Sequence, residues 1–77
     1  MDVKVYSTST CPYCQMVKDF LKKNKVKFED IDVSTNMEAA QEMVEKTGQM
    51  GVPVTEIDGK IIVGYNVPAL KEALKLK

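Results

Sequence analysis

Histidine and arginine are both absent from this 77-residue chain. Without imidazole, the commonest general base and the commonest metal ligand are missing. Ser-His and Cys-His hydrolases are therefore excluded. Without guanidinium, the chain lacks the bidentate reader of phosphates, carboxylates and base edges. Eleven lysines balance eleven acidic residues, so the formal net charge is zero. Phosphate binding needs clustered positive charge, so nucleic acid is not the expected main partner.

Cysteine is scarce as well, at two residues. The disulfide framework of a small secreted scaffold needs roughly four or more. No apolar run approaches the ~20 residues of a membrane span. The opening "MDVKVYSTST" has no basic stretch followed by an apolar one, so no secretory signal is expected. A cytoplasmic location is the resulting expectation, with no membrane partner. In that compartment a cysteine pair points to catalysis or metal binding before structure.

What is present is globular in kind, with 44% hydrophobic residues. The length allows one domain, residues 1–77, with a core that buries only about 60% of the unfolded surface. "DVKVYS" (2–7) puts Val3 and Val5 on one face and reads as a strand. A helical pattern starts at Pro12, with Cys14, Val17 and Leu21 on one face and Asn24 as a stop. "KVKFEDIDV" (25–33) reads as a second strand. "STNMEAAQEMVEKTG" (34–48) reads as a helix capped by Ser34 or Asn36 and closed by Gly48. Its expected inner stripe is Met37, Ala40, Met43, Val44 and Thr47. "VTEID" and "KIIVG" flank Asp58-Gly59, a hairpin signal. "NVPALKEALKLK" (66–77) reads as a helix with Asn66 as cap and Pro68 in its first turn.

The order is β-α-β-α-β-β-α. Strands joined through a helix are expected to run parallel, and the last two form a hairpin. An α/β fold follows, with a four-stranded mixed sheet and helices on both faces.

Both cysteines fall in "CPYC", Cys11 to Cys14, after four hydroxyl residues. Thr10 or Cys11 is the expected N-cap of the first helix. Positions i and i+3 share a helix face, so the two sulfurs can meet without unwinding it. The thiolate is the nucleophile in disulfide exchange, and a helix N-terminus favours it. Cys11 sits at that terminus, so it is the expected nucleophile. Cys14, one turn inside, is the expected resolving thiol. Pro12 presets the first turn, and Tyr13 is expected on the surface against substrate.

Other uses of the pair remain open at this point. A closed zinc site needs about four ligands, and no further cysteine or histidine exists here. No resident metal is expected within one chain. Two chains and external thiols could share an iron–sulfur cluster through Cys11. An inert structural disulfide runs against the compartment.

Pro53 stands where a strand should begin, a position poorly suited to proline unless it lies at an edge or turn. X-Pro bonds are the ones that adopt cis, and a cis Val52-Pro53 is the expectation here. The backbone of Val52 would then face outward, free to pair with an extended substrate. The plainer alternative is a loop proline ahead of a strand.

CPYC, the downstream Val52-Pro53 and Gly64 after the hairpin together resemble the glutaredoxin family of the thioredoxin superfamily. The resemblance covers essentially the whole chain. It implies a thioredoxin-like fold and thiol–disulfide exchange, with Cys11 as nucleophile, Cys14 as resolving cysteine and Val52-Pro53 as the substrate loop. It also implies electron transport in cell redox homeostasis by a monomer acting on disulfide-containing proteins. Gln49, Gly64, Tyr65 and Asn66 fall where the family binds glutathione. Charged residues that hold glutathione in many members are replaced here by Thr8, Met50 and Asn66, and a Thr before Val-Pro by Gly51. Weak glutathione recognition is therefore expected, with glutathione as co-substrate at most and no tightly bound cofactor. Glutathione or a thioredoxin reductase is the expected electron donor. The alternative function is a dimer bridging an iron–sulfur cluster through Cys11 and glutathione.

Lys18, Lys22, Lys23, Lys25 and Lys27 form a basic run, and Glu38, Glu42 and Glu45 make the second helix acidic. Solvated faces explain most of such runs. Lys18, one turn past the pair, is the one expected to aid the thiolate or an acidic partner. Met16 and Met50 are expected on the rim of the site, with Met37 and Met43 in the core.

Overall fold

A strand forms first because valines alternate with polar residues: β1 spans Val3–Ser7. In the computed structural model, which describes residues 2–75, six further elements follow. They are α1 (Pro12–Lys23), β2 (Glu29–Asp32), α2 (Met37–Thr47), β3 (Val54–Ile57), β4 (Lys60–Val63) and α3 (Val67–Leu74). The expected extension of the last helix over Leu76 and Lys77 lies outside the described residues, as does Met1. Among the described residues no helix is long and apolar enough to cross a membrane.

The strands lie in the order β2-β1-β3-β4. β1 runs parallel to β2 and antiparallel to β3, and β3 runs antiparallel to β4. Asp58 (φ +48°) and Gly59 (φ +89°) turn the hairpin, as the dipeptide predicts. Alternation along β1 divides the core in two. Val3 and Val5 pack with Val17 and Leu21 of α1, Ile57, Ile62, and Leu70 and Leu74 of α3. Tyr6 faces the other way and packs with Val54, Ala39 and Met43 under α2.

Of the two expected caps Asn36 is the one used, and two expectations are corrected. The second helix begins at Met37, because Asn36 caps it by accepting the Ala39 N–H at 3.0 Å. Met37 thus stands in the first turn, 84% exposed, and Ala39 takes the buried place with Met43. Met43 is buried as expected, and Ala40, Val44 and Thr47 are partly buried, so the error of the periodic reading is confined to the first turn. The second strand is shorter than 25–33. Lys25 takes a left-handed turn (φ +59°), and Val26 N–H returns to Leu21 O at 2.9 Å. Those residues close α1 before the chain can extend.

Leu21 is fully buried at the junction of α1 and the sheet. Leu21→Ala is expected to lower stability by about 2–5 kcal/mol. That is a large share of the roughly 4–11 kcal/mol such a short chain holds. Met37→Ala should change stability by less than about 0.5 kcal/mol. Urea unfolding of the two variants checks both values. Equal losses would contradict the assigned burial.

Candidate active site

Cys11 is the N-cap of α1, with extended backbone (φ −93°, ψ 112°). Its sulfur accepts the Cys14 N–H at 3.2 Å. This is an orphan donor of the first turn, which a capping side chain normally satisfies. Pro12 occupies the first helical position, where it lacks an N–H that would have no partner. Cys14 is wholly buried, while Cys11 is half-buried and Tyr13 is 60% exposed. One face of a single helical turn therefore carries one reachable sulfur and one sealed sulfur. Both are free thiols.

Burial pushes the Cys14 thiol up to about 11, and its hydrogen bond with the Cys11 sulfur adds to the rise. The Thr8 N–H and the Lys18 charge oppose it. The folded protein thus holds this proton more tightly than the unfolded chain, whose ordinary value is 9.0. Between those two values the unfolded chain ionises first, so stability falls as pH rises. Below about pH 9 the contribution is fully retained. Cys14→Ser, which cannot ionise there, should show a flatter loss of stability between about pH 9 and pH 11. Thermal unfolding of both reduced proteins across that window checks this, and matching slopes would contradict it.

The Val52-Pro53 peptide is cis, as expected. The Cys11 thiol faces the Val52 carbonyl at 3.9 Å, a long approach for a weak S–H donor. Among the described residues the Val52 N–H has no hydrogen-bond partner. Gly64, in the left-handed region at φ +80°, donates its N–H to Pro53 O at 2.8 Å. The fold thus brings Cys11, Cys14, Val52, Pro53 and Gly64 together from three separate stretches.

The other expected residues are placed less directly. The Gln49 amide is turned onto its own loop: it accepts Gly51 N–H at 2.7 Å and donates to Gly51 O at 3.2 Å. Asn66 caps α3, its side-chain oxygen accepting the Ala69 N–H at 3.2 Å. Tyr65 lines a shallow hollow with Met16 and Phe20 of α1. Met50 is 76% exposed and Met16 43%.

Two side-chain networks were not legible in the sequence. Ser7 Oγ donates to Asp30 Oδ1 at 2.9 Å, and Lys18 pairs with the other oxygen of Asp30 at 3.0 Å. On the opposite face Tyr6 OH donates to Glu42, and Lys46 bridges Glu42 and Glu56. Hydrogen bonds donated to Glu56 and Glu42 raise the pKa of the Lys46 ammonium, and hydrogen bonds from Lys46 and Tyr6 lower that of the Glu42 carboxyl. The i,i+4 spacing of Glu42 and Lys46 was the available signal.

A mixed sheet of this order, with a cysteine pair at the mouth of α1 facing a cis-proline loop, defines a protein of thioredoxin-like fold. The crystal structure of a glutaredoxin from Archaeoglobus fulgidus shares it, with a TM-score of 0.89 and 32% identity. That match covers 96% of this chain and 86% of the other. The glutaredoxin family model matches residues 3–62. The chain is 47% identical over 64 residues to the glutaredoxin-like 8.6 kDa protein in the rubredoxin operon of Clostridium pasteurianum. That alignment covers 83% of this chain and 85% of the relative. Glutaredoxin 3 of Escherichia coli (strain K12) is 33% identical over 63 residues, covering 82% of this chain and 76% of that protein. This chain belongs to the glutaredoxin family, whose members are thiol oxidoreductases.

Proposed function

We propose that the chain is a dithiol oxidoreductase that reduces protein disulfides or glutathione mixed disulfides. The observation that carries this reading is the asymmetry of the pair: Cys11 is reachable at the helix mouth and Cys14 is sealed one turn inside. The Cys11 thiolate attacks one sulfur of a substrate disulfide. A Cys11–substrate disulfide forms, and the other substrate sulfur leaves as a thiolate and takes up a proton. Cys14 then attacks the Cys11 sulfur, forming Cys11–Cys14 and releasing the second substrate thiol. Two electrons have passed from the pair to the substrate. The free Val52 N–H and the carbonyl beside Cys11 support docking of an extended substrate segment by backbone pairing. Tyr13, between the two cysteines, adds exposed aromatic surface.

The oxidised pair is reduced again by a thiol donor, either glutathione or a thioredoxin reductase. Residues at the glutathione positions favour the protein donor. Gln49 spends its amide on Gly51, Asn66 spends its oxygen on α3, and Met50 brings no charge. Each charge-assisted hydrogen bond that these residues cannot make weakens recognition by about 1.5–3 kcal/mol. Parallel NADPH-coupled assays test the reading on a protein disulfide, one with glutathione and glutathione reductase, one with thioredoxin reductase. Turnover is expected in the second at lower donor concentration than in the first. Absence of turnover with both donors would remove the oxidoreductase reading.

A further inference from the structure

Lys18 lies one turn beyond Cys14 on α1, yet its side chain is only 15% exposed. A lysine on a helix surface normally extends its ammonium into water. This one is drawn down onto β2, 3.0 Å from Asp30 Oδ2. Asp30 is itself held, since its Oδ1 accepts the hydroxyl of Ser7 at 2.9 Å. Ser7 is buried at the end of β1, the strand that leads into the cysteine loop. Two parallel strands thus fix the carboxylate, and the carboxylate fixes the ammonium beside the helix that carries Cys14. Lys18 stands four residues after Cys14 on α1 and so shares its helix face, and at the cap the Cys11 sulfur accepts the Cys14 N–H. Lys18 itself is in contact with Asp30 of β2, and its charge also favours the ionised forms of Asp32 and Cys14. Lys18 is the cation in this set.

We propose that Lys18, anchored by Asp30 and Ser7, is a positioning residue for the resolving step, favouring the Cys14 thiolate that attacks the mixed disulfide. The proposal rests on the dithiol reading above. A sealed thiol ionises with difficulty because burial penalises the charged form. A fixed positive charge on the same helix face is a means of favouring its anion. The step is balanced: the Cys14–Cys11 bond forms, the Cys11–substrate bond breaks, and the proton given up by Cys14 ends on the departing thiol.

The magnitude is modest. A shift of roughly one unit in Cys14 cuts its thiolate fraction about tenfold, while the more basic thiolate attacks faster, so the net slowing at neutral pH is about threefold to fourfold. An aromatic disulfide, 5,5′-dithiobis(2-nitrobenzoate), resolves the two steps by rapid mixing with the reduced full chain. Attack by Cys11 releases the first coloured thiolate, and attack by Cys14 releases the second. In Lys18→Gln and Lys18→Met the second phase should slow about threefold to fourfold, and its pH midpoint should rise by about one unit. The first phase should hold its rate, and Lys18→Arg should restore the second. A second phase with the wild-type rate and midpoint in both neutral variants overturns the proposal. Slowing without a midpoint shift also overturns it, since the ion pair then serves only to tie α1 to β2. A wild-type chain lacking any second phase would instead overturn the dithiol reading.

Discussion

Cys11→Ser is expected to abolish disulfide reduction, lowering the rate by roughly a thousandfold or more. Serine cannot form the mixed disulfide, and a hydroxyl is a far weaker nucleophile than a thiolate near neutral pH. Cys14 cannot substitute for it, being wholly buried and holding its proton up to about 11. The fold should survive the change. Cys11 caps α1 by accepting the Cys14 N–H, and serine is among the best residues for that task. Abolished activity with an unchanged melting temperature is therefore the expected pair of results. Turnover above about one percent of wild type would remove the nucleophile assignment.

The second large effect concerns Cys14→Ser. With no resolving thiol, the disulfide between Cys11 and a protein substrate should persist and accumulate. Dithiol turnover of protein disulfides should stop, while exchange of glutathione mixed disulfides by external glutathione can continue through Cys11 alone. Intact-mass analysis should find one substrate adduct per chain, carried on the Cys11 peptide. The serine hydroxyl enters a buried place, where Thr8 N–H remains as a donor. The cost to stability should stay near 1–2 kcal/mol. Unimpaired turnover of protein disulfides by this variant would show that an outside thiol resolves the intermediate.

Much of the molecule was legible before any coordinates because its signals are local. The Asn36 and Asn66 caps, the Gly48 terminus and the Asp58-Gly59 turn each depend on a few neighbouring residues. Errors arose where one local signal competed with another. Met37 has the hydrophobicity of a core residue, but capping by Asn36 makes it the first residue of the helix and turns it to solvent. The stretch before β2 alternates like a strand, but its first residues are needed to close α1. Gln49 and Asn66 are polar at the expected positions, yet backbone donors in their own loops occupy them.

Sequence alone determined that two thiols share one turn at a helix entrance, because three residues along a helix return a side chain to the same face. It also determined that histidine-dependent catalysis is absent, since no imidazole exists in the chain. Tertiary structure alone decided what stands opposite those thiols. Val52 reaches Cys11, Pro53 meets Gly64, and Lys18 is drawn onto Asp30 and Ser7. Strand order and register set these meetings. Register follows from burying two faces of one sheet at once, a condition no short stretch of residues can express by itself.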